Sequence, residues 1–178
     1  MKEALILIDI QNIYFAEGDY KLHEPEKAVE KAAQILSKFR SENGPIIHVR
    51  HMFNVAQNDK GDYLLDFNEA VKPKGGEIIV SKNYPNAFLK TNLYEEIKNV
   101  NEDSLVIIGM MSHMCIDTTV REAQNYDYKV TVIHDTCTTK DLEWNGEKIK
   151  ASTVHKSIMA SLNGMFAEVL SAEEYLKL

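Results

Sequence analysis

Six short apolar runs punctuate this chain: EALILIDI (3–10), PIIHVRH (45–51), EIIVSK (77–82), SLVIIGM (104–110), KVTVIHD (129–135) and FAEVLS (166–171). Short, nearly continuous apolar runs are what strands buried on both faces look like. Between most of them lie stretches whose apolar residues recur at helical spacing, over 25–44, 89–100, about Ser112 to Tyr126, and 146–162. Pro25 opens the first of these and Gly44 lies just past its end, the usual asymmetry of a helix. Ser171 and Glu174 have capping-box spacing for a last short helix. Residues 52–76 are polar and weakly periodic, and read as a long loop with one helical turn. Strands alternating with helices imply βαβ units, hence an α/β fold with a six-stranded, mostly parallel sheet between two helical layers. With 178 residues and no linker or repeat, positions 1–178 read as one domain.

In such sheets ligands bind beyond the C-terminal ends of the strands. The polar residues falling there are Asp9 and Gln11, His48 and His51, Lys82, Ser112 with Cys115, and Asp135. Asp9 interrupts LILIDI, and a carboxylate in a doubly buried strand is costly unless paired. Lys82 ends EIIVSK, sharing a strand face with Ile78 and Val80, and poses the same problem with opposite sign. The two resolve each other if they meet at the sheet edge; a structural ion pair, or a lysine reaching solvent, accounts for them equally simply. Cys115 follows the fourth run, with Ser112 placed as a helix N-cap, so it falls in a first turn where the positive helix end stabilises a thiolate. A buried packing thiol is the alternative. Together the three groups suit nucleophilic catalysis: Cys115 attacks, Asp9 takes its proton, Lys82 holds both by charge, and the backbone N–H groups of Met111 and Cys115 form an oxyanion hole. The second cysteine, Cys137, lacks a helix-start setting and reads as packing.

Other classes are disfavoured. The net charge of −7, with no Lys/Arg block, argues against nucleic acid or an anionic membrane as partner. The apolar stretch at the N-terminus is too short for a signal core or a span, which points to the cytoplasm, where both cysteines stay thiols. His48 and His51, three apart in a strand, point to opposite faces, and no other metal-ligand spacing occurs, so no metal is expected. No glycine-rich nucleotide motif follows any strand, and no cofactor is expected.

The segments LILIDIQN, IIHVRH, SKNYPNAFLKTNL and above all IGMMSHMCIDTTVREA resemble the isochorismatase-like cysteine hydrolases, a superfamily that includes nicotinamidases and N-carbamoylsarcosine amidase. The likeness runs from residue 3 to about 175. It implies a Rossmann-like αβα sandwich and makes Asp9, Lys82 and Cys115 the catalytic triad. It also implies a cis peptide at Met110–Met111, an oxyanion hole at Met111, and a homodimer or homotetramer with contacts through 146–162 and 116–126. Substrate contacts implied by the resemblance are Gln11, Phe15, His51, Tyr84, Phe88 and His113. Nicotinamidases carry an Asp-x-His and a further His for a metal after the second strand; VRHMFNVAQNDKG has no such set, which points away from nicotinamidase and from a metal. Where the family has Gly after the cysteine helix, this chain has Asp127. The activity implied is hydrolysis of a small-molecule amide through a Cys115 thioester. Vinyl-ether hydrolysis of the isochorismate type, and a non-catalytic thiol redox or binding module, are the competing readings.

Overall fold

The computed structural model describes residues 3–15, 20–55 and 59–178. Its central sheet has six strands, β1 (Ala4–Ile8), β2 (Ile46–His51), β3 (Ile78–Lys82), β4 (Ser104–Gly109), β5 (Lys129–Ile133) and β8 (Glu168–Leu170). They run in the order β3-β2-β1-β4-β5-β8. Every neighbouring pair is parallel. From β1 the chain winds outward to β3, then returns and winds the other way from β4. The junction of β1 with β4 is therefore the topological switch point, where the loops leaving two adjacent strands diverge and open a crevice.

The pleat sorts β1 onto two cores. Ala4, Ile6 and Ile8 face one side with Ile47, Val49, Leu105 and Ile107. Three helices cover that side: α3 (Leu93–Val100), α4 (Asp117–Asn125) and α5 (Ala151–Leu162). Leu5 and Leu7 face the other with Val106 and Ile108, under α1 (Pro25–Ser41) and α6 (Ala172–Leu176). Within α1 the buried residues Ala28, Val29, Ala32, Ile35, Leu36 and Phe39 make one apolar stripe of the kind that seats a helix on a sheet. The helix closes with Asn43 in the left-handed region (φ +54°) and the Gly44 N–H donating to the Phe39 carbonyl at 2.8 Å. The α6 capping box between Ser171 and Glu174 is formed in both directions. Asp127 does take a left-handed conformation, at φ +61°.

Several expectations need correction. The 146–162 stretch is not one helix. Leu142–Trp144 (β6) and Glu147–Ile149 (β7) form a separate antiparallel hairpin, and α5 starts only at Ala151. Glu and Lys dominate β7, so its composition favoured a helix; a turn at Asn145 and Gly146, both with positive φ, made the hairpin instead. The 52–76 loop carries α2 (Asp59–Leu65) and a 3-10 turn at Glu69–Val71; residues 56–58 lie outside the described residues. The helix after β4 begins as a π-type turn over Ser112–Ile116 before α4 takes over. Ser112 is not its N-cap: the hydroxyl donates to the Thr138 carbonyl at 3.1 Å and lies 2.8 Å from His155 Nδ1. Among the described residues no helix is long and apolar enough to cross a membrane.

One glycine controls how β4 meets β1. Gly109 has φ +131°, and a Cβ there would lie 1.9 Å from the Ile8 carbonyl oxygen. That same oxygen accepts from the Met110 N–H at 2.9 Å, so the close approach carries a hydrogen bond that a side chain would destroy. Gly109→Ala combines a forbidden backbone conformation with a backbone clash, and is expected to cost at least about 3 kcal/mol. The check is the urea midpoint, which should fall well below that of the parent; an unchanged midpoint would refute the close approach.

Candidate active site

Asp9 does not lie within β1 but immediately beyond it, at φ +53°. Its N–H donates to the Val49 carbonyl at 2.9 Å, so the residue is tied to β2 while its carboxylate turns under the crevice. Lys82 is the last residue of β3. On that strand Val80 and Lys82 are buried while Ile79 is half-exposed, so the lysine points inward. Cys115 comes from the turn after β4, which follows a cis peptide at Met110–Met111. That turn is held from behind by the Ser112 N–H donating to Thr138 O at 2.9 Å and by His113 Nδ1 lying 2.5 Å from Thr139 Oγ1.

Three elements thus converge on one point. Lys82 Nζ lies 2.7 Å from Asp9 Oδ2 and 3.2 Å from Cys115 Sγ. Both charged side chains are fully buried, and Cys115 is almost so. The Asp9–Lys82 contact is a buried ion pair through Oδ2, and Oδ1 has no hydrogen-bond partner among the described residues. Burial pushes the Asp9 carboxyl above its ordinary range against the opposing pull of Lys82. Burial, reinforced by the Asp9 charge, pushes the Cys115 thiol up to about 12, with Lys82 again opposing. The resting group is therefore a thiol, not the thiolate expected from a helix start. Desolvation and the adjacent carboxylate outweigh the single cation. Cys137 is also pushed up to about 12 by burial, and its sulfur rests 3.5 Å from the Ile133 carbonyl, as a packing thiol does.

A fourth residue joins the three. His51 ends β2 in register with Lys82 at the end of β3. Its Nδ1 lies 2.9 Å from Lys82 Nζ. The ammonium's three N–H groups thereby face three acceptors: a carboxylate, an imidazole nitrogen and a sulfur. Burial and then the Lys82 charge lower the His51 pKa to about 4. Paired strand ends were the signal for this contact. Gln11, fully buried, braces it: Oε1 accepts from the His51 N–H at 2.8 Å, and Nε2 donates to the His51 and Leu65 carbonyls at 3.0 and 2.7 Å. Its amide is committed to holding the backbone.

Tyr14 was missed by sequence reasoning, because a tyrosine after a strand reads as core. It is buried, its ring 5.7 Å edge-on to Phe53, and burial, with the nearby Asp9 charge, keeps its phenol protonated. Phe53 in turn lies 4.4 Å from the His51 ring and stacks on Tyr20 at 5.6 Å, giving the site an aromatic wall. The remaining expected contacts are more dispersed. Phe88 is buried in the core cluster that contains Cys115, against Tyr126 at 5.1 Å. Phe15 packs half-buried against the α1 side. Tyr84 is half-exposed beneath Lys90 Nζ at 5.3 Å. His113 is half-buried, two residues before Cys115. His48, on the other face of β2 from His51, binds Glu77 at 2.8 Å together with Arg40, well away from Asp9.

No carboxylate–histidine metal cluster was expected, yet ligand atoms of Asp9, His51 and Cys115 lie within 4.8 Å of one another. Strand register and the β4 turn brought them together from distant positions. The Lys82 ammonium sits 2.7, 2.9 and 3.2 Å from these same three groups, filling the position with fixed positive charge. A second cation there would meet direct repulsion at short range, so the donor set fits an ammonium rather than a metal ion.

Known proteins resemble this chain over nearly its whole length. Residues 3–174 match the Isochorismatase domain. The uncharacterized isochorismatase family protein YddQ of Bacillus subtilis is 40% identical over 99% of this chain and 100% of its own length. A crystal structure from Oleispira antarctica, assigned to the isochorismatase hydrolases, superposes with a TM-score of 0.94 at 36% identity, covering 99% of this chain and 97% of that one. Maleamate amidohydrolase of Pseudomonas putida is 28% identical over 75% of this chain and 71% of its own length. With its switch-point crevice and its match over nearly the whole length, the chain belongs to the isochorismatase family of hydrolases.

Proposed function

We propose that this hydrolase cleaves a C–N amide bond of a small molecule through a thioester on Cys115, with Asp9 as the proton carrier and Lys82 as the electrostatic anchor. The observation that carries the reading is the buried Lys82 ammonium within 2.7 Å of a carboxylate and 3.2 Å of a sulfur. The similarity to maleamate amidohydrolase supports an amide as substrate.

The sulfur attacks the carbonyl carbon as its proton passes to Asp9. The transfer turns a carboxylate and a thiol into a carboxylic acid and a bonded sulfur, so the buried pocket exports no charge while Lys82 stays in place. The carbonyl oxygen becomes negative and is held by the N–H groups of Met111 and Cys115. Protonated Asp9 then gives its proton to the departing nitrogen and the C–N bond breaks. Asp9, again a carboxylate, takes a proton from water, whose oxygen attacks the thioester; the acid leaves and the thiol is restored. A raised Asp9 pKa suits both halves, since the carboxylate must be able to accept from a thiol and the acid it becomes to donate to the departing amine. The setting proposed is the cytoplasm, where Cys115 stays reduced, in a homodimer or homotetramer whose mass sedimentation would measure.

Cys115→Ala and Asp9→Asn are each expected to lower amide hydrolysis by roughly a thousandfold or more with the circular dichroism spectrum retained. An active Cys115→Ala alongside a dead Asp9→Asn would instead indicate acid chemistry of the vinyl-ether type, and loss of neither would end the enzymatic assignment to this site. The pH profile has a definite sign. Asp9 must be ionised to take the thiol proton, and its pKa is raised, so kcat/KM should fall as pH drops through a value above the ordinary carboxylate figure of about 4. An acid limb at or below the ordinary value would contradict the assignment. Alkylation of the resting thiol by iodoacetamide, followed by mass spectrometry, should be slow at pH 7 and rise about tenfold per pH unit up to pH 9, as expected of a thiol near 12; a rate already at its plateau at pH 7 would mean a preformed thiolate.

A further inference from the structure

We propose that Lys82 locks His51 as its Nε2–H tautomer, and that this N–H is a fixed hydrogen-bond donor for an acceptor oxygen on the substrate, a carbonyl or carboxylate next to the scissile amide. The tautomer follows from the donor inventory. An ammonium has no lone pair, so the 2.9 Å contact from Lys82 Nζ requires His51 Nδ1 to be the acceptor and to carry no hydrogen. The ring stays neutral at ordinary pH, because burial and the neighbouring cation both oppose a second proton. Its one proton is therefore on Nε2.

Orientation is fixed as firmly as protonation. The Gln11 amide holds the His51 backbone at both its N–H and its carbonyl, and a third bond to Leu65 leaves that amide only one orientation: its oxygen must accept and its nitrogen must donate twice. Phe53 packs against the imidazole at 4.4 Å between ring centroids. Turning the ring over would place a carbon where Lys82 needs an acceptor. Among the described residues no hydrogen bond is made by Nε2, and His51 is half-buried, unlike the fully buried His48. His51 thus keeps Nδ1 on the buried ammonium and leaves a donor-only Nε2 on a half-buried ring, in a cluster with Asp9 and the Cys115 sulfur.

This has a consequence for selectivity. A site with a fixed donor favours a substrate that offers an oxygen there, and leaves the donor unpaired when an alkyl group or an ammonium sits in the same place. The substrate half of the proposal rests on the amidase reading; the tautomer half does not. His51 is thereby a positioning residue for Lys82 on one side and a specificity residue on the other.

The test uses the full-length protein with 15N-histidine and two-bond 1H–15N correlation at pH 7. His51 should show an unprotonated Nδ1 and a protonated Nε2; an Nδ1–H tautomer or an imidazolium would overturn the lock. Titration with a free dicarboxylate, the product type of a dicarboxylic acid monoamide, should move the Nε2 signal with little change at Nδ1. No movement at saturating dicarboxylate would overturn the donor role, whatever reaction the enzyme performs. In kinetics, the parent should prefer a monoamide bearing a terminal carboxylate over an alkyl amide of equal length by about 100-fold in kcat/KM. His51→Phe should collapse that ratio and His51→Gln should restore part of it, the loss appearing mainly in KM. Equal turnover of both amides by the parent would overturn the specificity role. Hydrolysis of neither amide, with the nuclear magnetic resonance results as expected, would fault the amidase reading and leave the lock standing.

Discussion

A lysine ammonium without water is the constraint around which this molecule is arranged. Burying an isolated charge costs several kcal/mol even after relaxation, unless good partners replace the lost hydration. Lys82 has three: the Asp9 carboxylate, His51 Nδ1 and the Cys115 sulfur. Each comes from a different strand end, so the cation can be satisfied only when β1, β2, β3 and the turn after β4 are all in place. Folding and assembly of the site are the same event.

The sheet makes that event possible through register. His51 and Lys82 are paired residues at the last rung of β2 and β3. Asp9 is held by Val49 of the middle strand. On the other side of the switch point, Gly109 lets β4 touch the Ile8 carbonyl, which brings the cysteine turn over Asp9. Thr138 and Thr139 support that turn from behind, through Ser112 and His113. The Ser112 contacts with the Thr138 carbonyl are buried and directed at backbone, so they position the sulfur with little freedom. In the proposed mechanism, such preorganisation would let one proton move between Cys115 and Asp9 without solvent having to reorganise.

Much of this architecture could be read from the chain. The six apolar runs became the six strands because strands covered on both faces need apolar residues at nearly every position. The helices with clear stripes, above all α1, were equally legible. Asp9 and Lys82 stood out because each is a poor occupant of a buried strand end unless the other is near, and Cys115 because it falls at a strand–helix junction. What failed has physical causes. The β6–β7 hairpin is short and outside the sheet, so it has no apolar signature, and its charged residues resemble the exposed face of a helix. Ser112 has the chemistry of an N-cap, but the Thr138 carbonyl and His155 compete for its hydroxyl. Gln11, which the resemblance implied as a substrate contact, braces the backbone of His51 in the structure.

Residue order alone determined the fold class, the edge of the sheet at which the candidate site lies, and the three side chains with a reason to meet there. These depend on local periodicity and on the cost of burying charge, which are properties of short segments. Tertiary structure decided the protonation of the site: a thiol rather than a thiolate at Cys115, a raised carboxyl at Asp9, and a neutral His51 with its proton placed on Nε2. Those states depend on exclusion of water and on charges brought within a few ångströms from positions 31 to 73 residues away along the chain, and no local pattern encodes either.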